Sequence, residues 1–316
     1  MKNKIWLIGA GYMASEYVKV LKALNVDFSV IGRGKDSSLQ FSDNHGVEVI
    51  SGGIDTFLET RSVLTDHAIV AVSVGELFIT TLKLIELKIR NILVEKPAGL
   101  SLNEIKTLSN YANLNGTNLF VAYNRRHYTS LKLLKDFVVE DGGIKSINFE
   151  FTEWVHTIDF NKFPDEVLQK FLIANSTHVI DTVFHLAGRP KKLESFVEGN
   201  NLSWHPAGSI FMGIGITELE IPFSYSSNWE SPGRWVIEVL TFKRRLYLKP
   251  LEKLFFQEKG QVVLNEVLAD YSKDEEYKPG VYNMVADFLQ GNSDVLCTIK
   301  EHYENFSYYE KIGGYK

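Results

Sequence analysis

The N-terminal part of the chain alternates short apolar runs with segments whose apolar residues recur every three or four positions. The apolar runs predict strands at Ile5–Ile8, Asp27–Ile31, Val47–Ile50, Ala68–Val74, Asn91–Val94 and Asn118–Ala122. The periodic segments predict helices at Glu76–Leu87 and Leu102–Leu114. The run Ala68–Val74 is apolar at nearly every position, which is typical of a strand buried on both faces. This alternation predicts an α/β domain with a doubly wound parallel sheet.

The pattern changes near residue 124, where runs with alternating apolar and polar positions begin. Such runs, or short apolar ones, predict strands at Lys145–Thr152, Ile210–Glu220, Phe223–Trp229, Trp235–Phe242 and Leu246–Leu248. Helices are predicted at Thr129–Val139, Val281–Leu289 and His302–Tyr309. Strict alternation indicates an antiparallel sheet with one exposed face. We therefore predict two domains, an α/β domain over residues 1–123 and an α+β domain with a large, mostly antiparallel open sheet over residues 124–316.

A glycine turn follows the first strand and reads G-x-G-x-x-A from Gly9 to Ala14. In a dinucleotide-binding βαβ unit, the first glycine permits the tight turn and the second lets the backbone approach a pyrophosphate. The final small residue allows close packing of the helix on the strand. The free N–H groups of the following helix favour an anion. The turn predicts a Rossmann domain that binds a dinucleotide; the alternative is a glycine turn without a nucleotide.

The end of the second predicted strand bears on which nicotinamide cofactor is bound. NAD-selective sheets usually carry an acid there, for the ribose hydroxyls. This chain has Gly32 and Arg33, followed by Ser37 and Ser38. Arginine pairs well with a 2′-phosphate and serine donates to it, so the sequence favours NADP over NAD. Two alternatives stay open: a shifted loop that presents Asp36 to the ribose, and an arginine that only stacks on adenine.

Composition excludes several classes of protein. Hydrophobic residues make up 45% and charged residues 23% of the chain, as in ordinary globular proteins. The formal net charge of −5 comes without a basic block, which argues against nucleic acid or an anionic membrane as partner. The lone Cys297 permits neither an internal disulfide nor a cysteine metal cluster. The first apolar run is too short for a signal peptide or a membrane span, so we expect a cytoplasmic protein.

A lysine follows the fifth predicted strand, in Glu95-Lys96-Pro97. Ligands of open α/β sheets bind beyond the carboxyl ends of the strands, so Lys96 is expected at the cofactor crevice. There its ammonium can donate a hydrogen bond to a substrate hydroxyl and stabilise negative charge during hydride transfer. The fixed backbone of Pro97 makes a cis peptide bond conceivable. The alternative is a surface lysine at a strand end.

These motifs together resemble the glucose–fructose oxidoreductase/inositol dehydrogenase (Gfo/Idh/MocA) family. The resemblance rests on the G-x-G-x-x-A turn, the Glu95-Lys96-Pro97 segment, the arginine-containing stretch Ala122–His127 and the sheet-rich second half. It implies an NAD(P)-dependent oxidoreductase acting on CH–OH groups, with Lys96 as the substrate-binding and catalytic lysine.

The family usually also carries a helix with the pattern D-x-x-x-H-x-x-D. Here His178 and Asp181 match the pattern, three residues apart and on one helical face, while Ala174 replaces the first aspartate and Asn175 follows it. Histidine is well suited to proton transfer near neutral pH. The resemblance therefore implies that His178 moves the proton and that Asp181 fixes the substrate or the histidine. The alternative is a structural histidine on an apolar helix.

The site expected from this resemblance draws on both domains. The catalytic residues expected are Lys96, His178 and Asp181. Cofactor contacts are expected from Gly9, Gly11, Tyr12, Met13, Ala14, Gly32, Arg33, Ser73, Glu95 and Lys96, and substrate contacts from Lys96, Tyr123, Asn175 and His178. No metal site is expected, because the other histidines lack a second ligand at metal spacing.

The expected reaction is hydride transfer between nicotinamide and a hydroxyl or ketone carbon of a sugar, sugar nucleotide or polyol. The alternatives are a reductase of the same fold, like biliverdin reductase or dihydrodiol dehydrogenase, and a non-catalytic NAD(P)-binding regulator. The exposed face of the C-terminal sheet and the resemblance together predict a homodimer or homotetramer.

Overall fold

The computed structural model of the protein describes residues 4–60 and 65–315. It comprises two compact units. The first contains the described residues up to Tyr123 together with residues 276–304, and the second contains residues 124–275 with the described residues from 305 onward. The division at Tyr123 falls where the sequence pattern changes, and residues 276–304 return to the first unit.

The first unit is a Rossmann fold, as predicted. Its strands are β1 (Ile5–Ile8), β2 (Phe28–Ile31), β3 (Val49–Ile50), β4 (His67–Val70), β5 (Asn91–Val94), β6 (Asn118–Val121) and β15 (Cys297–Thr298). Its helices are α1 (Tyr12–Ala23), α2 (Lys35–His45), α3 (Gly53–Thr60), α4 (Val74–Glu86), α5 (Leu102–Asn115) and α10 (Val281–Gln290). The strand order is β3-β2-β1-β4-β5-β6, all parallel, with β15 antiparallel on β6. This order puts the ends of β1 and β4 at the topological switch point, where such sheets bind their ligands.

The core of the first unit follows from the apolar runs of its parallel strands. Leu7, Ile69 and Leu93 are completely buried, because helices cover the sheet. Tyr17 of α1 is also completely buried. Helix α10 packs against α1, which is how residues 276–304 join this unit.

The second unit is built on a large sheet. Its strands are β7 (Ser146–Phe151), β8 (Pro190–Glu198), β9 (Ile210–Thr217), β10 (Pro222–Asn228), β11 (Trp235–Leu240), β12 (Arg244–Leu248), β13 (Phe255–Glu258) and β14 (Asn265–Glu266). Its helices are α6 (Thr129–Glu140), α7 (Asp165–Gln169), α8 (Thr177–Ala187) and α9 (Ser272–Glu276), while α11 (Ile299–Gly313) crosses the division between the units. The order is β14-β13-β12-β11-β7-β10-β9-β8, and only the β7–β10 pair is parallel among the described pairings.

The alternation of β7 shows how this sheet is covered on one face. Ile147, Phe149 and Phe151 are buried, while Ser146 and the other intervening residues are only half-buried. Helix α8 packs against β7 and β11. The mostly antiparallel open sheet predicted from the sequence is therefore confirmed.

Three strands of this sheet, β8, β13 and β14, were not predicted. Strand β8 lies at one edge of the sheet, so few of its residues are buried. Its sequence includes the charged residues Lys191, Lys192 and Glu194, which do not form an apolar pattern. The strand is stabilised by its pairing with β9 along most of its length, and not by an apolar pattern of its own.

Candidate active site

The glycine turn after β1 has two glycines with different structural requirements. Gly9 has φ +125°, and a Cβ there would lie 2.2 Å from the carbonyl oxygen of Ala71. A Cβ on Gly11 would have no heavy atom within 4 Å. Helix α1 begins at Tyr12 without a side-chain cap and without an acid in its first turn. The first N–H groups of α1 therefore receive no side-chain cap, and the backbone at Gly11 is not crowded, which fits the diphosphate of a dinucleotide.

A cavity of about 610 Å³ opens at this turn. It is lined by residues that follow β1, β2 and β4, among them Gly9, Gly11, Tyr12, Met13, Arg33 and Ser73. Four other predicted cofactor residues lie outside this lining. Ala14 is buried in the packing of α1, Gly32 is buried at the end of β2, and Glu95 and Lys96 follow β5.

Two of the residues predicted to bind a 2′-phosphate, Arg33 and Ser37, line the cavity. The exposed guanidinium of Arg33 lies 3.1 Å from the carboxylate of Glu76. Asp36 is not among the lining residues. A Cβ on Gly32 would lie 2.2 Å from the Ser38 hydroxyl, so this glycine is needed for packing. Glu76 was not predicted, because it reaches the cavity from the start of α4.

Lys96 stands on a firmly held backbone beyond β5. The hydroxyl of Tyr17 donates to the Glu95 carboxylate at 2.6 Å, and the ring Nε2 of His302 donates to the Pro97 carbonyl at 2.9 Å. The Lys96–Pro97 peptide bond is cis. Burial raises the pKa of Glu95, and burial followed by the Glu95 charge raises that of Tyr17. Lys96 is thus fixed from both neighbouring residues, as a preorganised site requires.

His302 is a residue that the sequence did not reveal. It is completely buried, and its Nδ1 lies 3.5 Å from the hydroxyl of Tyr123. Tyr123, predicted to contact substrate, is itself only 1% exposed. No local motif marks His302, since its partners are 179 and 205 positions away in sequence.

In the second unit, His178 is the second residue of α8 and is only 6% exposed. A π-helical turn, Leu172–Ser176, leads directly into α8. Such turns are uncommon and occur frequently at functional sites. The turn includes the buried Ala174 and the half-buried Asn175. The ring of His178 lies 6.2 Å, centroid to centroid, from that of Trp235.

Asp181, one turn further along α8, is held by a buried ion pair. Arg126 donates to its two carboxylate oxygens at 2.8 and 2.6 Å, and the Tyr309 hydroxyl donates to one of them at 3.4 Å. The Asp181 side chain is completely buried and that of Arg126 is 1% exposed. A bidentate pair in this setting fixes the rotation of α8, and therefore the direction of His178.

The described residues contain no group of three or more His, Cys, Asp or Glu side chains arranged to hold a metal ion. No helix formed by these residues is long and apolar enough to cross a membrane.

A scan against protein-family models identifies the first unit. Residues 3–123 match the model described as "Oxidoreductase family, NAD-binding Rossmann fold" (GFO_IDH_MocA). No curated protein matches the chain by sequence.

Solved structures match the whole chain at low identity. A UDP-N-acetylglucosamine 3-dehydrogenase from Acidithiobacillus ferrooxidans is 12% identical, with a TM-score of 0.76, covering 100% of this chain and 98% of its own. An oxidoreductase from Agrobacterium radiobacter, solved with NAD⁺, L-tartaric acid and magnesium, is 15% identical, with a TM-score of 0.77 and coverage of 98% and 95%. A super-repressor mutant of Gal80p from Saccharomyces cerevisiae is 14% identical, with a TM-score of 0.76 and coverage of 99% and 96%. Since identity is this low, these structures show a shared fold alone.

Proposed function

We propose that the chain belongs to the Gfo/Idh/MocA oxidoreductase family, whose model matches residues 3–123, and that it catalyses NADP-dependent hydride transfer to or from a CH–OH carbon. The substrate is a sugar, a sugar nucleotide or a related polyol. The observation that carries the proposal is the open space at Gly11 before the uncapped start of α1, in the unit that also holds the fixed Lys96. Bound nicotinamide supplies or accepts the hydride.

Gly9, Gly11, Tyr12 and Met13 would hold the diphosphate end of the cofactor, because they line the cavity at the start of α1. Arg33 and Ser37 would hold a 2′-phosphate, and Asp36, which would favour NAD, is not part of the lining. Ser73 belongs to the same cavity wall. This arrangement supports NADP as the preferred cofactor.

Two residues have proposed roles at the reacting oxygen. The Lys96 ammonium donates a hydrogen bond to the substrate oxygen and stabilises it as negative charge develops. In the reductive direction His178 gives a proton to this oxygen, and in the oxidative direction it takes the proton away. Asp181 is a positioning residue, since Arg126 and Tyr309 hold its carboxylate. Asn175 is proposed to bind substrate from the turn before His178.

The exposed face of the second unit's sheet supports a homo-oligomer. Phe196, Met212, Ile214 and Ile216 project from β8 and β9 and are 37–63% exposed. They form neighbouring positions, since Phe196 pairs with Met212 across the two strands. An apolar strip of this kind on a sheet face is typical of a protein interface. We propose that a second copy of the chain covers it.

A non-catalytic NAD(P)-binding regulator is the second candidate, and the Gal80p structure shares the fold. NADPH consumption with a panel of keto-sugars distinguishes the two. We expect turnover with at least one substrate and a loss of about 10²-fold or more in Lys96→Ala and in His178→Ala, with NADPH binding nearly intact.

The matched control is Lys106→Ala, an exposed lysine of α5, which should keep full activity. The double variant of Lys96 and His178 should be little slower than either single one, because residues that act in one step are not additive. Full turnover in either single variant would remove that residue from the mechanism. NADPH binding without turnover on any substrate would favour the regulator.

A further inference from the structure

The second unit contains two arginines that share one indole ring. The guanidinium carbon of Arg125 lies 4.3 Å from the ring centroid of Trp235, and that of Arg234 lies 4.7 Å from it. Arg234 also lies 4.5 Å from the ring of Trp154. Burial lowers the pKa of Arg125, and the positive charge of Arg234 is one of the causes that lower it further. Two cations held this close repel each other unless an anion lies near both.

Two hydrogen-bond donors in this cluster lack an acceptor. The Nε of Arg125 and the Nε1 of Trp235 are buried and have no partner among the described residues. Trp235 is only 6% exposed as a whole. The contact from Arg125 Nη1 to the Asn124 side-chain oxygen is long, at 3.4 Å. Buried donors without acceptors are uncommon in native proteins, and they point to a missing acceptor.

The nearby carboxylates do not fill this role. One oxygen of Glu153 accepts from the Ser176 hydroxyl at 2.6 Å, and the other lies 3.9 Å from Arg234. The carboxylates of Glu252 and Glu153 attract Arg125 electrostatically. These two carboxylates offset the charge of Arg125 but do not accept a hydrogen bond from its buried Nε.

The two donors that lack an acceptor, together with the two guanidinium groups, indicate which kind of ligand would bind. An arginine presents planar, paired N–H groups that match the oxygens of a carboxylate or a phosphate. The ring of His178 lies near the same indole, with 6.2 Å between the centroids of the His178 and Trp235 rings. We infer that Arg125, Arg234 and Trp235 form a recognition site for an anionic group of the substrate, a carboxylate or a phosphate, next to His178. This inference rests on the proposed function only in taking His178 as the group at the reacting carbon.

The inference predicts that substrates with an acidic group are preferred over neutral ones. We would titrate the full-length protein calorimetrically with glucuronate, glucose 6-phosphate and glucose, without any nicotinamide nucleotide. At least one of the two anions should bind about tenfold or more tightly than glucose, the scale of one hydrogen bond to a charged group. Whichever of the two anions binds more tightly shows whether the site prefers a carboxylate or a phosphate.

Variants test the residues of the site. Arg125→Met and Arg234→Met should each weaken anion binding about tenfold and leave glucose unchanged. Arg125→Lys should recover only part of the affinity, because lysine keeps the charge and loses the planar fork. The matched control is Arg245→Met, since Arg245 also lies over an aromatic ring, that of Tyr247, but is paired with Glu238. It should bind the anions as the unchanged protein does.

Arg234 keeps the test decisive if Arg125→Met fails to fold, because 46% of its side chain is exposed. Equal affinity for the anions and glucose, or no binding of all three, would overturn the inference. An equal loss for all three ligands in Arg234→Met would overturn it too. Since the titration measures no turnover, an inactive protein that binds the anions would refute the proposed reaction and keep this site.

Discussion

The contrast between Gly9 and Gly11 shows how two like residues in one turn serve different purposes. Gly9 has a positive φ and lies against the backbone of Ala71, so the fold requires it. Gly11 has an ordinary extended φ of −111° and open space where a Cβ would lie, so the fold does not. We propose that the glycine at the second position is there for the cofactor.

Gly11→Val should therefore abolish dinucleotide binding while the free energy of unfolding changes little. Gly9→Val, its matched partner, should lower the free energy of unfolding by about 3 kcal/mol or more, the scale of a steric clash with strained backbone. Cofactor titration and urea unfolding of both variants give the measurement. Unchanged cofactor affinity in Gly11→Val would show that this turn does not hold the phosphates.

Arg33 is the residue on which the proposed preference for NADP depends. Arg33→Ala should weaken NADPH binding about tenfold, the low end of the scale for a hydrogen bond to a charged group, because Arg33 must first leave Glu76. NADH affinity should stay nearly constant. Glu76→Gln, which frees the arginine without removing it, should instead strengthen NADPH binding. Titrations in which Arg33→Ala weakens both nucleotides equally would mean that the arginine stacks on adenine.

At the scale of elements, helix α8 carries a second histidine, His185. The Lys135 ammonium donates to the Nε2 of His185 at 2.6 Å. Burial, and then the charges of Arg126, Lys135 and His127, lower the pKa of His185 to about 2. The imidazole is therefore neutral near neutral pH and accepts a hydrogen bond. It serves the packing of α8.

This lowered pKa makes stability depend on pH. The unfolded chain binds a proton at His185 below its ordinary pKa of 6.5, and the folded chain does so only near 2, so the free energy of unfolding falls as pH falls below 6.5. The loss is at most about 1.4 kcal/mol per pH unit for this residue.

His185→Gln should keep an acceptor for Lys135. Between pH 6.5 and pH 4.5 it should reduce the slope of the free energy of unfolding against pH by the equivalent of about one proton. Some slope should remain, since burial also lowers the pKa of His205 and of His67. Urea unfolding at several pH values checks this, and an unchanged slope in the variant would contradict it.

How much of these elements the sequence could predict depends on how local their determinants are. The parallel strands and the glycine turn are marked by contiguous patterns, and the family match to residues 3–123 covers the same segment. No local sequence pattern predicts strand β8 or the role of His302, because both are held in place by partners elsewhere in the chain. The Arg125–Trp235 contact spans 110 positions, so no motif could have revealed it.

At the scale of the molecule, the apolar strip on β8 and β9 predicts association. Sedimentation should give a multiple of the 35.9 kDa chain mass. Ile214→Glu should yield monomers, because it places a charge among exposed apolar residues of the strip. Val139→Glu, on α6, is the matched control, since Val139 is 81% exposed and lies outside the strip. A monomeric unchanged protein, or equal dissociation in both variants, would contradict the proposed interface.

The most direct test of the whole account is the transfer of deuterium from NADPH labelled at the nicotinamide C4. The protein would be incubated with labelled NADPH and a panel of keto-sugars that includes keto acids and phosphates, and the products analysed by mass spectrometry. We predict deuterium on the new carbinol carbon. Lys96→Ala and His178→Ala should transfer it far more slowly than the unchanged protein. Tight NADPH binding with no deuterium in any product would contradict it and leave a nucleotide-binding regulator.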